Sequence, residues 1–295
     1  MAVRVLTAEP VLRAGAELAE GPRWDARTGR LLWVDILAGQ VHSLDPDTAQ
    51  DRSLDLGRHV GAVAPDTTAY GVVAAVREGF VVVDADGAQR PLDLVLAGRA
   101  ELRFNDGRVD RAGRFWAGTM RYDLSPGHGT LYRLDPGRRA TPVWTGLGLT
   151  NGLDWSPDDR LFYLVDSTAR TVDVADFDLA DGALTGRRRF LDVDAALGSP
   201  DGLAVDCDGG VWVALYGGGR VHRYTPAGQL DTILEVPGAS HVTSPGFGGP
   251  DLDVLFVTTA LENVDPARRP EQPNAGAVLA VRPGVAGQPT AAFPS

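Results

Sequence analysis

Residues 105–120 read NDGRVDRAGRFWAGTM, and copies of this phrase recur along the 295-residue chain. The clear copies are GPRWDARTGRLLWVDI at 21–36, NGLDWSPDDRLFYLVDS at 151–167 and DGLAVDCDGGVWVALY at 201–216. Two weaker copies are GAVAPDTTAYGVVAAV at 61–76 and GFGGPDLDVLFVTTA at 246–260. The glycines that the six copies share, at positions 21, 61, 107, 152, 202 and 246, are separated by 40, 46, 45, 50 and 44 residues. Repeats of about 40–50 residues are typical of four-stranded propeller blades, so the pattern predicts six blades.

Short runs rich in Val, Leu, Tyr and Trp alternate with turn residues inside each copy, which indicates strands. The predicted hairpins pair 30–36 with 40–44, 160–166 with 171–177, and 211–216 with 220–224. No segment has the 3.6-residue periodicity of a helix over about 11 residues or more. We therefore expect residues 1–295 to form a single all-β domain, a six-bladed β-propeller with four-stranded antiparallel blades around a central channel. The apolar positions at 3–6 and 11–12 are expected to add an outer strand to the last blade, beside the C-terminal segment.

The composition excludes several kinds of protein. Acidic residues outnumber basic ones by 39 to 28, and the net charge of −11 disfavours nucleic acid and anionic membranes as partners. All 28 basic residues are arginine, which excludes lysine Schiff-base chemistry and a P-loop. Cys207 is the only cysteine, so an internal disulfide or a thiolate metal cluster is excluded. The N-terminus lacks the apolar core of a signal peptide, and we expect a cytoplasmic protein with no obligate protein partner.

The residue before each shared glycine occupies the same place in every repeat. In a propeller this place lies at the start of the inner strand, so the six side chains point towards one axis. The six residues are Glu20, Val60, Asp106, Asn151, Asp201 and Pro245. Glu20, Asn151 and Asp201 offer two carboxylates and one amide oxygen, a set that suits Ca²⁺, Mg²⁺ or Mn²⁺. The alternative is that Asn-Gly and Asp-Gly are ordinary turn dipeptides, although Glu-Gly in the same place is not typical of turns.

Several longer motifs resemble one family, which comprises gluconolactonase, regucalcin (senescence-marker protein) and luciferin-regenerating enzyme. The resemblance covers about residues 18–282, and the motifs that carry it are AEGPRW at 19–24, RFNDGRVDRAGRFWAGTM at 103–120, GLTNGLDWSPD at 148–158, GSPDGLAVDCDGGVWVALYGGGRVHRYTPAG at 198–228 and TSPGFGGPDLDVLFVTTA at 243–260. It implies a six-bladed propeller with one divalent metal ion (Ca²⁺, Mg²⁺, Mn²⁺ or Zn²⁺) at the channel mouth, and hydrolysis of sugar lactones in carbohydrate metabolism.

The resemblance also assigns roles to individual residues. It makes Glu20, Asn151 and Asp201 the metal ligands, and it makes Arg103 and Asn105 contacts to the substrate. An acidic residue shortly after Gly-Thr-Met contacts substrate in the family as well. This chain has Arg-Tyr-Asp where the family often has a glutamate-rich segment, and Asp123 is the nearest candidate.

The implied mechanism is attack of water on a lactone carbonyl that the metal polarises. Either Asp201 as a general base or water bound to the metal promotes the attack, and the residues do not separate the two. No Gly-x-Ser-x-Gly elbow and no His-Glu-x-x-His motif supplies another mechanism. Two other functions stay open, namely a metal-dependent phosphotriesterase or other esterase on the same propeller, and a non-enzymatic metal-binding regulatory propeller.

Overall fold

Each of the six repeats forms one antiparallel sheet, or blade, in the computed structural model, which describes residues 2–67, 71–137 and 139–295. Residues 68–70, within the second repeat, lie outside the described residues. Two short strands, β1 (Arg4–Thr7) and β2 (Glu9–Leu12), precede the first blade. From the channel outwards, blade 1 contains β3 (Ala19–Asp25), β4 (Arg30–Asp35), β5 (Gln40–Asp45) and β6 (Gln50–Asp55). Blade 2 contains β7 (Val60–Pro65), β8 (Val72–Val76), β9 (Gly79–Val83) and β10 (Gln89–Asp93). Blade 3 contains β11 (Leu102–Val109), β12 (Phe115–Arg121), β13 (Gly129–Leu134) and β14 (Ala140–Leu147).

Blades 4 to 6 complete a ring. Blade 4 contains β15 (Thr150–Trp155), β16 (Leu161–Asp166), β17 (Thr171–Asp178) and β18 (Ala183–Asp192). Blade 5 contains β19 (Ser199–Val205), β20 (Val211–Tyr216), β21 (Arg220–Tyr224) and β22 (Leu230–Glu235). Blade 6 contains β23 (Val242–Gly248), β24 (Val254–Thr259) and β25 (Val278–Val281). The inner strands contact one another in the order β3, β7, β11, β15, β19, β23 and back to β3. The structure is therefore the predicted six-bladed β-propeller.

The N-terminal strands join two different blades. Strand β2 pairs antiparallel with β25 and supplies the fourth strand of blade 6, where residues 11–12 were expected. Strand β1 instead pairs parallel with β22 as a fifth strand of blade 5, so the expected place of residues 3–6 is wrong. Only Ala8 separates the two strands, and a hairpin needs a loop of about two residues to reverse direction. The extended chain therefore continues from the edge of blade 5 to the edge of blade 6.

The six shared glycines lie inside the inner strands and not in turns. In five blades the pairing register shifts at this place, between Glu20 and Arg23, Val60 and Ala62, Phe104 and Gly107, Thr150 and Leu153, and Pro200 and Leu203. Such a bulge bends the strand and changes the direction of the side chains beside it. The interpretation of these dipeptides as ordinary turns is therefore wrong.

Close approach of neighbouring blades explains two of these glycines. A Cβ atom on Gly152 would overlap the backbone of Leu203 in blade 5, and one on Gly202 would overlap Ser244 in blade 6. Because glycine has no side chain, the inner strands pack at a distance that any other residue would prevent. This tight ring brings the start of each inner strand close to the channel axis.

An aspartate after β19 connects the inner strand to the core of blade 5. One carboxylate oxygen of Asp206 accepts hydrogen bonds from two backbone N–H groups of the following turn, at 3.0 and 2.8 Å. The other oxygen accepts from Trp212 Nε1 at 2.8 Å and from Arg223 Nε at 2.7 Å. Asp110 and Trp116 repeat this arrangement in blade 3, with Trp116 Nε1 donating at 2.8 Å. The repeated Asp…Trp spacing in the sequence thus marks a buried, fully bonded carboxylate.

Substitution of Trp212 by phenylalanine is expected to lower the free energy of unfolding by about 1–2 kcal/mol, since it removes a buried hydrogen bond to a carboxylate and part of a buried ring. Trp144 in β14 is the matched control, because its ring is only partly buried and the same substitution there is expected to have a smaller effect. Urea denaturation of both variants measures the difference. Equal losses in the two variants would contradict the structural role of the Asp206–Trp212 bond.

The C-terminal segment covers the end of the channel at which the inner strands finish. Gln288 Nε2 donates to the carbonyl oxygens of Trp155 and Val205, at 2.8 and 3.1 Å. The backbone N–H of Phe293 donates to Pro65 O at 2.9 Å, and the Phe293 ring is buried. The three accepting residues are the last residues of β15, β19 and β7. The other end of the channel, where the inner strands start, is left for a binding site.

Helices are almost absent from the described part of the chain. Two 3₁₀ turns, Ala195–Leu197 and Pro266–Glu271, are the helical segments found there. Neither they nor any other described helix has the length and apolar character needed to cross a membrane.

Candidate functional site

A cavity of about 660 Å³ opens at the end of the channel where the inner strands begin. The three expected metal ligands and three expected substrate contacts make six candidate site residues. Five of them line the cavity, and these five come from four different inner strands. They are Glu20 of β3, Arg103 and Asn105 of β11, Asn151 of β15, and Asp201 of β19. Side chains far apart in the sequence therefore share one cavity, as the repeat geometry predicted for Glu20, Asn151 and Asp201 and as the resemblance implied for Arg103 and Asn105.

The two carboxylates in the cavity are deeply buried. The exposed fraction is 3% for Glu20 and 7% for Asp201. Burial raises the pKa of Glu20 well above its usual range, and the negative charges of Asp201 and Asp106 raise it further. Burial also raises the pKa of Asp201 well above its usual range, and the Asp106 charge again adds to the effect. Two buried carboxylates that repel each other are stable as a pair of anions only with a positive charge between them.

The Asn151 amide has a free oxygen beside these carboxylates. Its Nδ2 donates to Ser167 Oγ at 3.1 Å, whereas its buried Oδ1 has no hydrogen-bond partner among the described residues. A buried oxygen of this kind normally has a donor or a cation next to it. The described residues contain no group of three or more His, Cys, Asp or Glu side chains placed for a metal ion. Two carboxylates and one amide oxygen nevertheless fit a hard divalent cation, which prefers oxygen ligands.

Asp106 occupies the same repeat position in blade 3 but has a different environment. Its Oδ1 accepts from Arg23 Nη2 at 3.2 Å and from the backbone N–H of Gly107 at 2.6 Å, and it does not line the cavity. The arginine partner explains why this position is not equivalent to the other three. Asp106 acts on the cavity through its charge, which raises the pKa of both Glu20 and Asp201.

Arg103 and Asn105 form a connected pair of buried polar side chains. Arg103 Nη1 donates to Asn105 Oδ1 at 2.7 Å and to the carbonyl oxygen of Phe104 at 3.1 Å. Asn105 Nδ2 in turn donates to Thr150 O at 3.0 Å. Burial lowers the pKa of Arg103, and the neighbouring Tyr122, Glu262, Glu20 and Asp201 oppose that change. The guanidinium is therefore held in place as a fixed donor on the wall of the cavity.

Asp123, the third expected substrate contact, lies outside the cavity. Its carboxylate accepts from Ser125 Oγ at 2.6 Å and from Arg121 Nη2 at 2.8 Å. The hydrogen bond from Ser125 has the largest effect on the pKa of Asp123, and the bond from Arg121 adds to it. Together they lower this pKa to about 2. The structure instead places Tyr122 on the cavity wall. The turn after β12 points these two neighbouring side chains in different directions, which the motif alone does not reveal.

Sequence reasoning missed a second set of cavity residues. They lie at or just after the end of the second strand of five blades, and they are Leu37, Tyr122, Ser167, Tyr216 and Glu262. The second strand of each blade runs antiparallel to the inner strand, so its end returns to the same face of the ring. The topology was the available signal, because no repeated motif marks these positions.

Glu262 is the acidic member of that set. Its backbone N–H donates to Glu17 O at 2.8 Å, and its carbonyl oxygen accepts from Tyr216 Oη at 3.0 Å. The backbone is thus fixed, while the partly buried side chain faces the cavity. Burial raises the pKa of the Glu262 carboxyl, and the Arg103 charge opposes this. The cavity therefore contains a third carboxylate that no motif identified.

Comparison with known proteins identifies the family of this chain and agrees with the fold. Residues 18–261 match the family model described as the SMP-30/Gluconolactonase/LRE-like region. Regucalcin of Danio rerio is 36% identical over 278 residues, which cover 92% of this chain and 93% of that protein. A putative sugar lactone lactonase, YvrE, of Bacillus subtilis (strain 168) is 33% identical over 273 residues, covering 90% and 91%. The crystal structure of a calcium-binding protein, regucalcin, from Agrobacterium tumefaciens str. C58 has a TM-score of 0.93 and 27% identity, with 100% of each chain covered. The chain therefore belongs to the SMP-30/gluconolactonase/LRE-like family.

Proposed function

We propose that this protein hydrolyses a sugar lactone to the corresponding aldonic acid and that it needs a divalent metal ion to do so. The observation that carries the proposal is the convergence, in one cavity beside a fixed arginine, of two buried carboxylates and an amide oxygen with no hydrogen-bond partner in the described part of the chain. The description of the Bacillus relative as a putative sugar lactone lactonase supports the substrate class. The description of the Agrobacterium relative as calcium-binding supports the metal.

Glu20, Asn151 and Asp201 are the proposed metal ligands. The raised pKa of each carboxyl means that burial and mutual repulsion disfavour two negative charges in this place. A cation held there would relieve that repulsion, and it would give Asn151 Oδ1 the partner that this oxygen lacks among the described residues. A divalent cation bound there would act as a Lewis acid towards the lactone carbonyl.

The chain's own residues then orient the substrate and move the proton. Arg103, held by Asn105, donates hydrogen bonds to hydroxyl groups of the sugar and fixes the ester relative to the carboxylates. Asp201 accepts a proton from the water that attacks the carbonyl carbon, while the water oxygen forms the new C–O bond. When the ring C–O bond breaks, the same proton passes to the ring oxygen, which becomes a hydroxyl group. Lactone and water thus give one hydroxy acid.

A calcium-binding protein without turnover is the second candidate, and the description of the Agrobacterium relative favours it. Both candidates use the same three ligands, so metal binding does not separate them. Turnover does separate them, because only in an enzyme would Arg103 and Asp201 act on a lactone carbonyl.

The test uses pure protein stripped of metal with a chelator. Ca²⁺, Mg²⁺, Mn²⁺ or Zn²⁺ is added back in turn, and proton release is followed with gluconolactone, xylonolactone and arabinolactone, with an aryl phosphotriester for comparison. We expect at least one metal to raise lactone opening by about 100-fold or more over the metal-free protein, as a Lewis-acid contribution of several kcal/mol requires. Calcium binding with no lactone opening above the spontaneous rate would establish the non-enzymatic candidate instead.

A further inference from the structure

The turn after β12 presents two apolar side chains at the cavity. Leu124 is 55% exposed and Tyr122 is 39% exposed, and both line the cavity. Only five large hydrophobic side chains in the described part of the chain have an exposed fraction of 36% or more, and the other three lie elsewhere. Single exposed apolar residues are common on any surface, but two together at the opening of a binding site indicate an apolar contact surface. We call Tyr122 and Leu124 the apolar rim.

The backbone holds Leu124 in an unfavourable conformation. Its φ angle is +59°, in the left-handed region that a leucine rarely adopts and that glycine or asparagine tolerates better. The turn is closed by the Leu124 N–H, which donates to Arg121 O at 3.1 Å, and by the Asp123 carboxylate, which accepts from Ser125 Oγ at 2.6 Å. Leu124 is too exposed for core packing to repay this strain. A strained residue that the surrounding turn holds in place at a binding site suggests a role in that site.

Tyr122 is fixed as well. His59 Nδ1 and the Tyr122 hydroxyl lie 2.8 Å apart, which is hydrogen-bond distance. The Arg103 guanidinium carbon lies 6.0 Å from the centre of the Tyr122 ring. The apolar rim is therefore continuous with the arginine that we propose to anchor the lactone. A lactone anchored at Arg103 that carries a substituent on the side of Tyr122 would place that substituent against Tyr122 and Leu124.

The chemistry of the rim selects between substrates. Leucine offers no donor or acceptor, so it gives nothing to the hydroxyl groups of a bare aldonolactone. An alkyl chain placed against Leu124 and the Tyr122 ring loses contact with water and gains stability from the hydrophobic effect. The cavity, about 660 Å³, has the size typical of sites for drug-sized ligands and thus has room for such a chain.

We infer that this chain also opens lactones that carry an apolar alkyl substituent and that it prefers a longer alkyl chain to a shorter one, with the lactone ring at the carboxylates and the substituent against the apolar rim. This inference rests on the proposed lactone hydrolysis and names a substrate class for the same site. It also gives Asp123 a function, which is to hold the turn that presents Tyr122 and Leu124.

The test compares γ-nonalactone with γ-valerolactone, which share the ring and differ in the length of the alkyl chain. The metal-loaded protein is expected to have a kcat/KM at least about tenfold higher for γ-nonalactone, since even one methylene group in an apolar pocket is worth roughly 10-fold or more. Leu124→Asn removes the apolar side chain and suits the left-handed backbone. It is expected to lower the ratio of the two kcat/KM values at least fivefold, mainly through KM.

Leu94→Asn is the matched control, since Leu94 is also exposed but does not line the cavity. It is expected to leave both constants unchanged. The ratio is measured within each protein, so differences in metal loading or active fraction cancel. Opening of aldonolactones together with a ratio near one, or a ratio that Leu124→Asn does not change, would overturn the substrate class and leave the proposed function intact. Failure to open any lactone would overturn both.

Discussion

Substitution of Asp201 by asparagine is expected to lower kcat for lactone opening by about 1,000-fold or more. Asparagine has nearly the same volume as aspartate, so the cavity keeps its shape while it loses one negative charge. The substitution removes both a proposed metal ligand and the proposed proton acceptor, and a positioned acid–base group alone typically contributes about 10²–10⁴-fold. Proton release from the best aldonolactone, measured at saturating metal, gives the result.

Two controls make this result specific to the site. Asp208→Asn is the matched variant, because Asp208 lies close in sequence but is exposed outside the cavity. It is expected to keep normal turnover. The shift in melting temperature caused by Ca²⁺ is measured in parallel, and it should be smaller in Asp201→Asn than in Asp208→Asn. Unchanged turnover in Asp201→Asn would remove Asp201 from the mechanism.

The sequence predicts the blades and the convergence of the three proposed ligands because one repeated geometry produces both. Glu20, Asn151 and Asp201 each come directly before a shared glycine, and all three line the same cavity. The physical reason is the bulge at this position, which repeats with the blade and turns these side chains towards the channel end. The turn interpretation is wrong for the same dipeptides, because bulges and turns favour similar small and polar residues.

Residues in the connecting loops were beyond sequence reasoning. Glu262 and Tyr122 reach the cavity because the second strand of a blade returns to that face, but the loops differ in sequence between blades. Asp123 was chosen for its distance from Gly-Thr-Met, whereas its direction depends on a turn with a left-handed Leu124. The place of β1 depended in a similar way on Ala8, the one residue between two strands, which is too short a link for a hairpin.

Glu20→Gln is expected to make the metal-free protein more stable at pH 7, with little change near pH 4. Burial raises the pKa of Glu20 in the folded state. In the unfolded chain the same carboxyl has an ordinary glutamate pKa of about 4 and loses its proton near that pH. Between that pH and the raised folded pKa, the folded protein holds more protons than the unfolded chain. The contribution of this group to stability is therefore full below about pH 4 and is lost as the pH rises through that window.

Glutamine has the same size and no proton to lose, so the variant escapes this loss. Each tenfold difference between the two acid dissociation constants corresponds to about 1.4 kcal/mol at pH values above both pKa values. We therefore expect the variant to exceed the natural protein by about 1 kcal/mol or more at pH 7 in the presence of a chelator. Urea denaturation at pH 4, 5.5 and 7 measures the difference, and comparing the two proteins cancels carboxylates elsewhere whose pKa is lowered, such as Asp123.

Calcium is expected to reverse the order of stability, because the charge that destabilises the metal-free protein is the charge that binds the ion. At a Ca²⁺ concentration 100 times the dissociation constant, the natural protein gains about 2.7 kcal/mol, whereas Glu20→Gln gains little. Glu271→Gln serves as the control, since Glu271 is exposed in a 3₁₀ turn away from the cavity, and it should behave like the natural protein at every pH. A Glu20→Gln protein that is less stable than the natural one in chelator at pH 7, or that Ca²⁺ stabilises equally, would show that Glu20 is a structural residue and not a ligand.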